Sequence, residues 1–218
     1  MARPGSAPRP PRPVEPDLPD VLQDLDALTA RTDLQAVRLT GLTGDVDAAH
    51  ARIVEARIVT ASVDRLDLTG AALVDVEVGE MRAVEVVARE GSWRDTVVSG
   101  GRIGSIDGLR AEWDGVVLRG LRIDYLSLAS ARVNDLHVVD CEIGTLDAPD
   151  ARLTRVRFER TRVDEVDTRE LRAVDVDLRG LDALSFTDPR GLRDATLDAH
   201  QVAQHAEALA AALGIRVR

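Results

Sequence analysis

The 218-residue chain is almost without aromatic side chains, which make up 2% of it against a hydrophobic fraction of 44%. Any core must therefore be aliphatic. Lysine is absent, so all 28 basic residues are arginine. Cysteine occurs once, as Cys141, which excludes an internal disulfide framework and points to a reducing, cytoplasmic setting. No run of 18 apolar residues exists, so no transmembrane helix is expected. The N-terminus lacks the apolar centre of a signal peptide. Basic residues are outnumbered by 38 acidic ones, giving a net charge of -10. That balance favours solubility and disfavours nonspecific nucleic-acid binding. It leaves open a basic protein partner, including a protein groove that ordinarily holds DNA.

Proline is nearly confined to one place: seven of the nine fall in residues 1–19. Such a segment forms neither a helix interior nor a paired central strand. Arg3, Arg9 and Arg12 make it basic. It is expected to be a disordered arm, with Pro8 to Pro13 as a weak match to a ligand for an SH3-like groove. Residues 20–36 are expected to form an N-terminal cap, with Val21, Leu22, Leu25 and Leu28 at the spacing of a short helix.

From Ala51 an apolar or small residue falls at every fifth position, and a second such series sits two residues later (Ile53, Ile58, Val63, Leu68). The phase holds over 27 pentads, to Leu181 and Ala183. The second series has only two non-apolar members, Gly108 and Thr168. Five residues rotate an α-helix by about 500°, so the pattern is not helical. Apolar–polar–apolar is a very short strand with two side chains pointing inward, and the next two residues turn a corner. A 20-residue period fixes the number of sides at four. Val46, Leu66, Val86, Ile106, Leu126, Leu146 and Val166 are all large, whereas Ala51, Ala71, Gly91, Ala111, Ala131 and Ala151 are all small. Residues 20 apart therefore stack in adjacent coils. About seven coils at about 4.8 Å make a rod of roughly 34 Å, stabilised coil by coil.

The rod is expected over residues 37–190, with an irregular first coil. Val37 and Leu39, then Leu42 and Gly44, fit the repeat one residue out of phase. Trp93 and Trp113 lie 20 apart among small residues, which reads as volume compensation in the core, with exposed recognition rings as the alternative. After Leu184 the repeat stops. Residues 191–218 read as a helical cap or dimerisation segment, with Asp198 as N-cap, Gly214 as stop, and Val202, Ala206, Leu209 and Leu213 on one face.

The pentads resemble the pentapeptide-repeat family, whose unit is Ala–Asp/Asn–Leu plus two variable residues. The best matches are Ala51-Arg52-Ile53, Ala71-Ala72-Leu73, Ala151-Arg152-Leu153 and Leu66-Asp67-Leu68. The resemblance implies a right-handed quadrilateral parallel β-helix. One branch of that family resembles B-form DNA in size and charge, acts on DNA gyrase, and dimerises through a C-terminal helical segment. The resemblance thus implies a type II topoisomerase as a candidate partner, and a homodimer.

The chemistry-bearing residues form columns. Glu55, Asp75, Asp95, Asp135 and Asp175 line one edge, interrupted by Gly115 and Arg155, with Glu77 and Asp140 close by. This is the candidate interaction face, read as phosphate mimicry or as ordinary solvated carboxylates. Like charges about 4.8 Å apart repel by about 1 kcal/mol in water, so the column needs arginines, counterions or a cationic partner. A second column, Asp47, Asp67, Asp107, Asp147 and Asp167, reads as turn-stabilising. Arg132, Arg152 and Arg172 stack on another side, and Arg155, Arg157, Arg160 and Arg162 lie among carboxylates, which reads as inter-coil ion pairing. His200 and His205 are five apart and miss the spacing of paired metal ligands on a helix. Cys141 occupies an inward slot. No catalytic, cofactor or metal-binding constellation stands out, and no nucleotide-binding glycine loop is present. A non-catalytic protein-interaction module is expected. It would be either a DNA-mimicking acidic rod for a basic groove, or a scaffold that uses its N-terminal arm or C-terminal helix. Neither direct nucleic-acid binding nor membrane binding is expected.

Overall fold

A computed structural model describes residues 7–218. The chain is a parallel β-solenoid of about eight turns, one more than expected, with about 59% of residues in strands. After β1 (Gln23–Leu25), each of β2 (Asp33–Asp47), β3 (Arg52–Asp67), β4 (Ala72–Val87), β5 (Ser92–Asp107) and β6 (Glu112–Ser127) runs around most of one coil. Later coils are split at a corner, into β7 (Arg132–Val139) and β8 (Glu142–Asp147), β9 (Arg152–Glu159) and β10 (Thr161–Asp167), and β11 (Arg172–Asp177) and β12 (Leu181–Phe186).

The register between coils is 20 residues. Leu73 pairs with Trp93, Trp93 with Trp113, Trp113 with Val133, and Val133 with Leu153. In one coil Ala51/Ile53, Ala56/Ile58, Ala61/Val63 and Leu66/Leu68 are all buried, two residues from each of four sides. Fully burying one of the Val, Leu or Ile side chains of this set contributes about 1.5–3 kcal/mol, and every coil repeats the pattern. The irregular first coil is real. Val37 and Leu42 pair with Ala56 and Ala61, 19 residues on, whereas Val46 pairs with Leu66, 20 on. The register shifts lie between Leu39 and Leu42 and between Gly44 and Asp45.

The tryptophans are both buried and stacked, with ring centroids 4.9 Å apart and planes 14° from parallel. Among the described residues neither indole N–H has a hydrogen-bond partner. The residues two before them are small, Gly91 and Ala111. Cys141 is buried, and burial pushes its thiol pKa up. Its Sγ–H lies 3.3 Å from the Val139 carbonyl oxygen.

Residues 20–36 contain no helix. Instead β1 pairs in parallel with Val37–Leu39. The first coil presents unpaired backbone groups on its open edge, and a strand satisfies these where a helix cannot. Leu22 and Leu28 are buried there, while Val21 is 82% exposed. At the other end, β13 (Ala195–Thr196) pairs with Val176 and Asp177. Beyond it lie two short helices, α1 (Ala199–Gln204) and α2 (Ala206–Ala212). Asp198 is the N-cap, in a capping box with Gln201. Gly214, at φ +77°, ends α2, with N–H bonds from Gly214 to Ala211 and from Ile215 to Ala210.

The buried side of these helices is not the expected apolar series. Val202, Ala206 and Leu213 are exposed, and only Leu209 is partly buried. The buried residues are Gln201 and His205. The last coil has carbonyls with no further strand to bond, so its cover must carry donors. The Gln201 amide donates to the carbonyls of Leu178 and Leu181 at 2.7 and 2.6 Å, and Gln204 donates to Ala183. The His205 ring packs edge-on against Phe186.

Candidate interaction edge

The residues Glu55, Asp75, Asp95, Gly115, Asp135, Arg155 and Asp175 occupy one corner of successive coils. All have φ between +50° and +73°. Each sits between two register pairs, as Asp75 does between Val54–Val74 and Ala56–Val76. The left-handed backbone conformation favours Gly, Asp and Asn, which is one reason aspartate recurs here. The stacked corners bring the carboxylates of the column onto one edge.

That edge is occupied by the chain's own N-terminal arm. The Arg9 amide and Nε donate to Asp175 at 3.2 and 2.9 Å. The Arg12 amide donates to Asp135 Oδ1 at 3.0 Å, and its guanidinium bonds Asp95 and the Asp114 carbonyl. The Asp17 amide donates to Asp75 at 3.1 Å. The expected disorder of residues 1–19 is therefore corrected over residues 7–19, which follow a defined path across the rod. Residues 1–6, including Arg3, lie outside the described residues. A proline-rich arm lacks strand-forming capacity, and here the column carboxylates accept three of its few remaining N–H groups.

The two interruptions of the acidic column complete this arrangement. At Gly115 a side chain would collide with the Arg12 guanidinium and come within 3.0 Å of Asp95 Oδ1. Arg155 reaches back one coil and grips Asp135 with two bonds of 2.6 and 2.7 Å. Asp135 is only 3% exposed. The hydrogen bonds from Arg155, then the Arg12 amide and the charges of both arginines, outweigh burial and hold its pKa below the usual carboxylate range.

The other face residues are also satisfied within the chain. Glu55 accepts from Gln35, Glu77 from Arg57, and Asp140 from Arg160. The Arg160 hydrogen bonds lower the Asp140 pKa. The expected inter-coil ion pairs form at Arg132, Arg155 and Arg160, with Glu112, Asp135 and Asp140, whereas Arg157 and Arg162 pair within their own coil, with Glu159 and Asp164. In the second acidic column Asp47, Asp67, Asp107 and Asp167 each accept the backbone N–H two residues on. Asp147 cannot, because residue 149 is proline. Its carboxylate accepts from Tyr125 and Ser127 of the preceding coil instead.

Among the described residues there is no group of three or more potential metal ligands, and no helix is long and apolar enough to cross a membrane. No family model and no curated protein matches the chain. Among solved structures it is similar to two trypsin-treated variants of QnrB1, a plasmid-mediated fluoroquinolone resistance protein. One is 13% identical, over 91% of this chain and 100% of that one, with a TM-score of 0.27. The other is 14% identical, over 90% and 100%, with a TM-score of 0.23. At these scores the fold assignment rests on the chain's own geometry, a four-sided β-solenoid with a five-residue side.

Proposed function

We propose that the protein is a non-catalytic protein-interaction rod whose acidic edge engages a basic segment of a partner. The observation that carries this reading is the arm itself: the edge already holds an arginine-bearing stretch of chain, bonding Arg9 and Arg12 through Asp95, Asp135 and Asp175 and the Asp17 amide through Asp75.

The finer form of the proposal is mimicry of DNA toward the groove of a type II topoisomerase such as gyrase. It requires the arm to leave, because the carboxylates that would stand for phosphates are covered while it is in place. A supercoiling assay, with and without a quinolone, tests this form. Inhibition or drug protection that is lost when Asp75, Asp95 and Asp135 are changed to Arg supports it. No effect at any concentration, including with the arm released by Arg9→Glu and Arg12→Glu, removes it.

A scaffold reading is favoured by a different observation. Val202, Leu213, Ile215 and Val217 are 46–77% exposed at the C-terminal end, an apolar surface suited to a second copy or another protein. Light scattering of the full chain and of a Leu213→Glu, Ile215→Glu variant tests it. A dimer that becomes a monomer supports this use of the segment, and a monomer in both cases refutes the homodimer.

A further inference from the structure

We propose that the acidic edge is a recognition site for an extended, proline-spaced, arginine-bearing peptide, and that residues 7–19 are its intramolecular ligand. The inference rests on the reading of this edge as the partner-binding surface and specifies the partner's chemistry.

The first support is a match of lengths. From Asp175 to Asp75 is five coil steps, and from Arg9 to Asp17 is eight residues. Five steps at about 4.8 Å make about 24 Å, and eight residues of polyproline II at about 3.1 Å make about 25 Å. The fit holds inside the segment as well. Arg9 to Arg12 is three residues, about 9 Å in polyproline II, and Asp175 to Asp135 is two steps, about 10 Å. An arm in this conformation keeps pace with the coil spacing, so one column can read it at several points.

The second support is the burial pattern. Pro8, Pro11 and Val14 are half-buried, while Arg9, Pro10, Arg12, Pro13 and Glu15 are exposed. From Pro8 to Val14 the period of three is that of polyproline II, with one edge of the arm seated on the rod, and beyond it Pro16 and Leu18 are half-buried as well. The third is the supply of donors. Pro10, Pro11, Pro13 and Pro16 have no N–H, so Arg9, Arg12, Val14, Glu15 and Asp17 carry the only amides from Arg9 to Asp17. Three of these five donate to a column carboxylate. Proline both presets the extended backbone and removes donors that would go unpaired.

Arginine selectivity comes from the seat at Gly115. The Arg12 guanidinium faces Asp95, Asp114 and Asp135 together, and a forked planar donor serves three carboxylates where a lysine ammonium cannot. No strand ladder passes through residues 7–19. The arm can therefore leave, and another chain of the same chemistry can take its place, without breaking a coil.

The test uses the full chain and a fluorescent peptide copying residues 7–19. In the Arg9→Glu, Arg12→Glu chain, whose arm is repelled from the edge, the peptide should bind saturably. It should bind at least tenfold more tightly than to the wild-type chain, where the arm competes. Adding Asp95→Asn and Asp135→Asn should abolish binding, and a peptide with lysine in place of both arginines should bind several-fold more weakly. Near-ultraviolet circular dichroism of the Trp93–Trp113 pair reports that the rod is intact. In the wild-type chain the Arg12 and Asp17 amides should exchange with solvent at least tenfold more slowly than in the released variant. Absence of saturable binding to an intact released chain, binding that survives loss of both carboxylates, or unprotected Arg12 and Asp17 amides would each overturn the proposal. Peptide binding together with an inactive supercoiling assay would retain this site and discard only the topoisomerase partner.

Discussion

The Arg12 guanidinium stands where a side chain of Gly115 would be. A residue 103 positions away in sequence thus decides why one corner of the acidic column is glycine. Gly115→Ala should expel the guanidinium and, because φ is +73°, cost about 1–2 kcal/mol in backbone strain as well. Gly120→Ala separates the two effects. Gly120 has φ +61° and no atom within 4 Å of the added methyl group. Both variants should lose similar stability in urea, but only Gly115→Ala should lose protection of the Arg12 amide in hydrogen exchange.

Acid should weaken the rod through the carboxylates its arginines hold. The Asp135 pKa is depressed in the folded chain. Its stabilising contribution is therefore fully present above the unfolded value of about 3.9, and it is lost as pH falls through the lower folded value. Asp167 and Asp177 shift the same way, through Arg169 and Arg179. Stability should stay flat from pH 8 to about 5 and fall below about 4. In Asp135→Asn the acid limb should be shallower and the neutral-pH stability lower by about 1–2 kcal/mol, since Arg155 is partly solvated and recovers some of the loss. Urea midpoints across this pH range check both features.

The solenoid was legible because its signal is repeated: one pentad is ambiguous, but 27 in phase admit no helix. The one-residue slip at Val37 and Leu42 was legible for the same reason. The ends were not, because each occurs once and is governed by the backbone groups it must cover. Leu22, Leu25 and Leu28 have helical spacing, yet an open strand edge selects a strand. Val202, Ala206 and Leu213 have helical spacing too, yet carbonyls awaiting donors select Gln201 and His205 as the buried side. The arm was hidden for a further reason. Its arginines, its prolines and the gap at Gly115 are each ordinary alone. They become a site only when the coil spacing and the polyproline rise are set side by side.

Gln201 should prove the main fastener of the C-terminal end. Its amide bonds two carbonyls of the last coil, and its side-chain oxygen accepts the Asp198 N–H. Gln201→Ala removes the partners of the Leu181 carbonyl and the Asp198 N–H, while the Leu178 carbonyl keeps the Leu181 N–H; the loss should be about 1–3 kcal/mol. Because coils are coupled to their neighbours and not to the whole, the damage should be local. Amides of β11 and β12 should exchange faster, and those of β3 to β5 should be unchanged.

The stacked tryptophans set two terms against each other. Trp113 is 1% exposed and its ring lies 4.9 Å from that of Trp93, so Trp113→Ala should cost about 3–5 kcal/mol. Its indole N–H, however, is buried with no acceptor among the described residues, a defect of about 1–3 kcal/mol in the folded state. Trp113→Phe removes that donor while keeping an aromatic face for Trp93. It also leaves a smaller void, at about 24 cal/mol for each Å³ of cavity. The opposing terms should bring Trp113→Phe within about 1 kcal/mol of the wild-type chain, a far smaller loss than the 3–5 kcal/mol scale of aromatic deletion. Urea unfolding followed by far-ultraviolet circular dichroism measures this without relying on the altered fluorescence. A loss as large as that of Trp113→Ala would mean that the indole volume alone governs this part of the core and that the unpaired N–H carries no cost there.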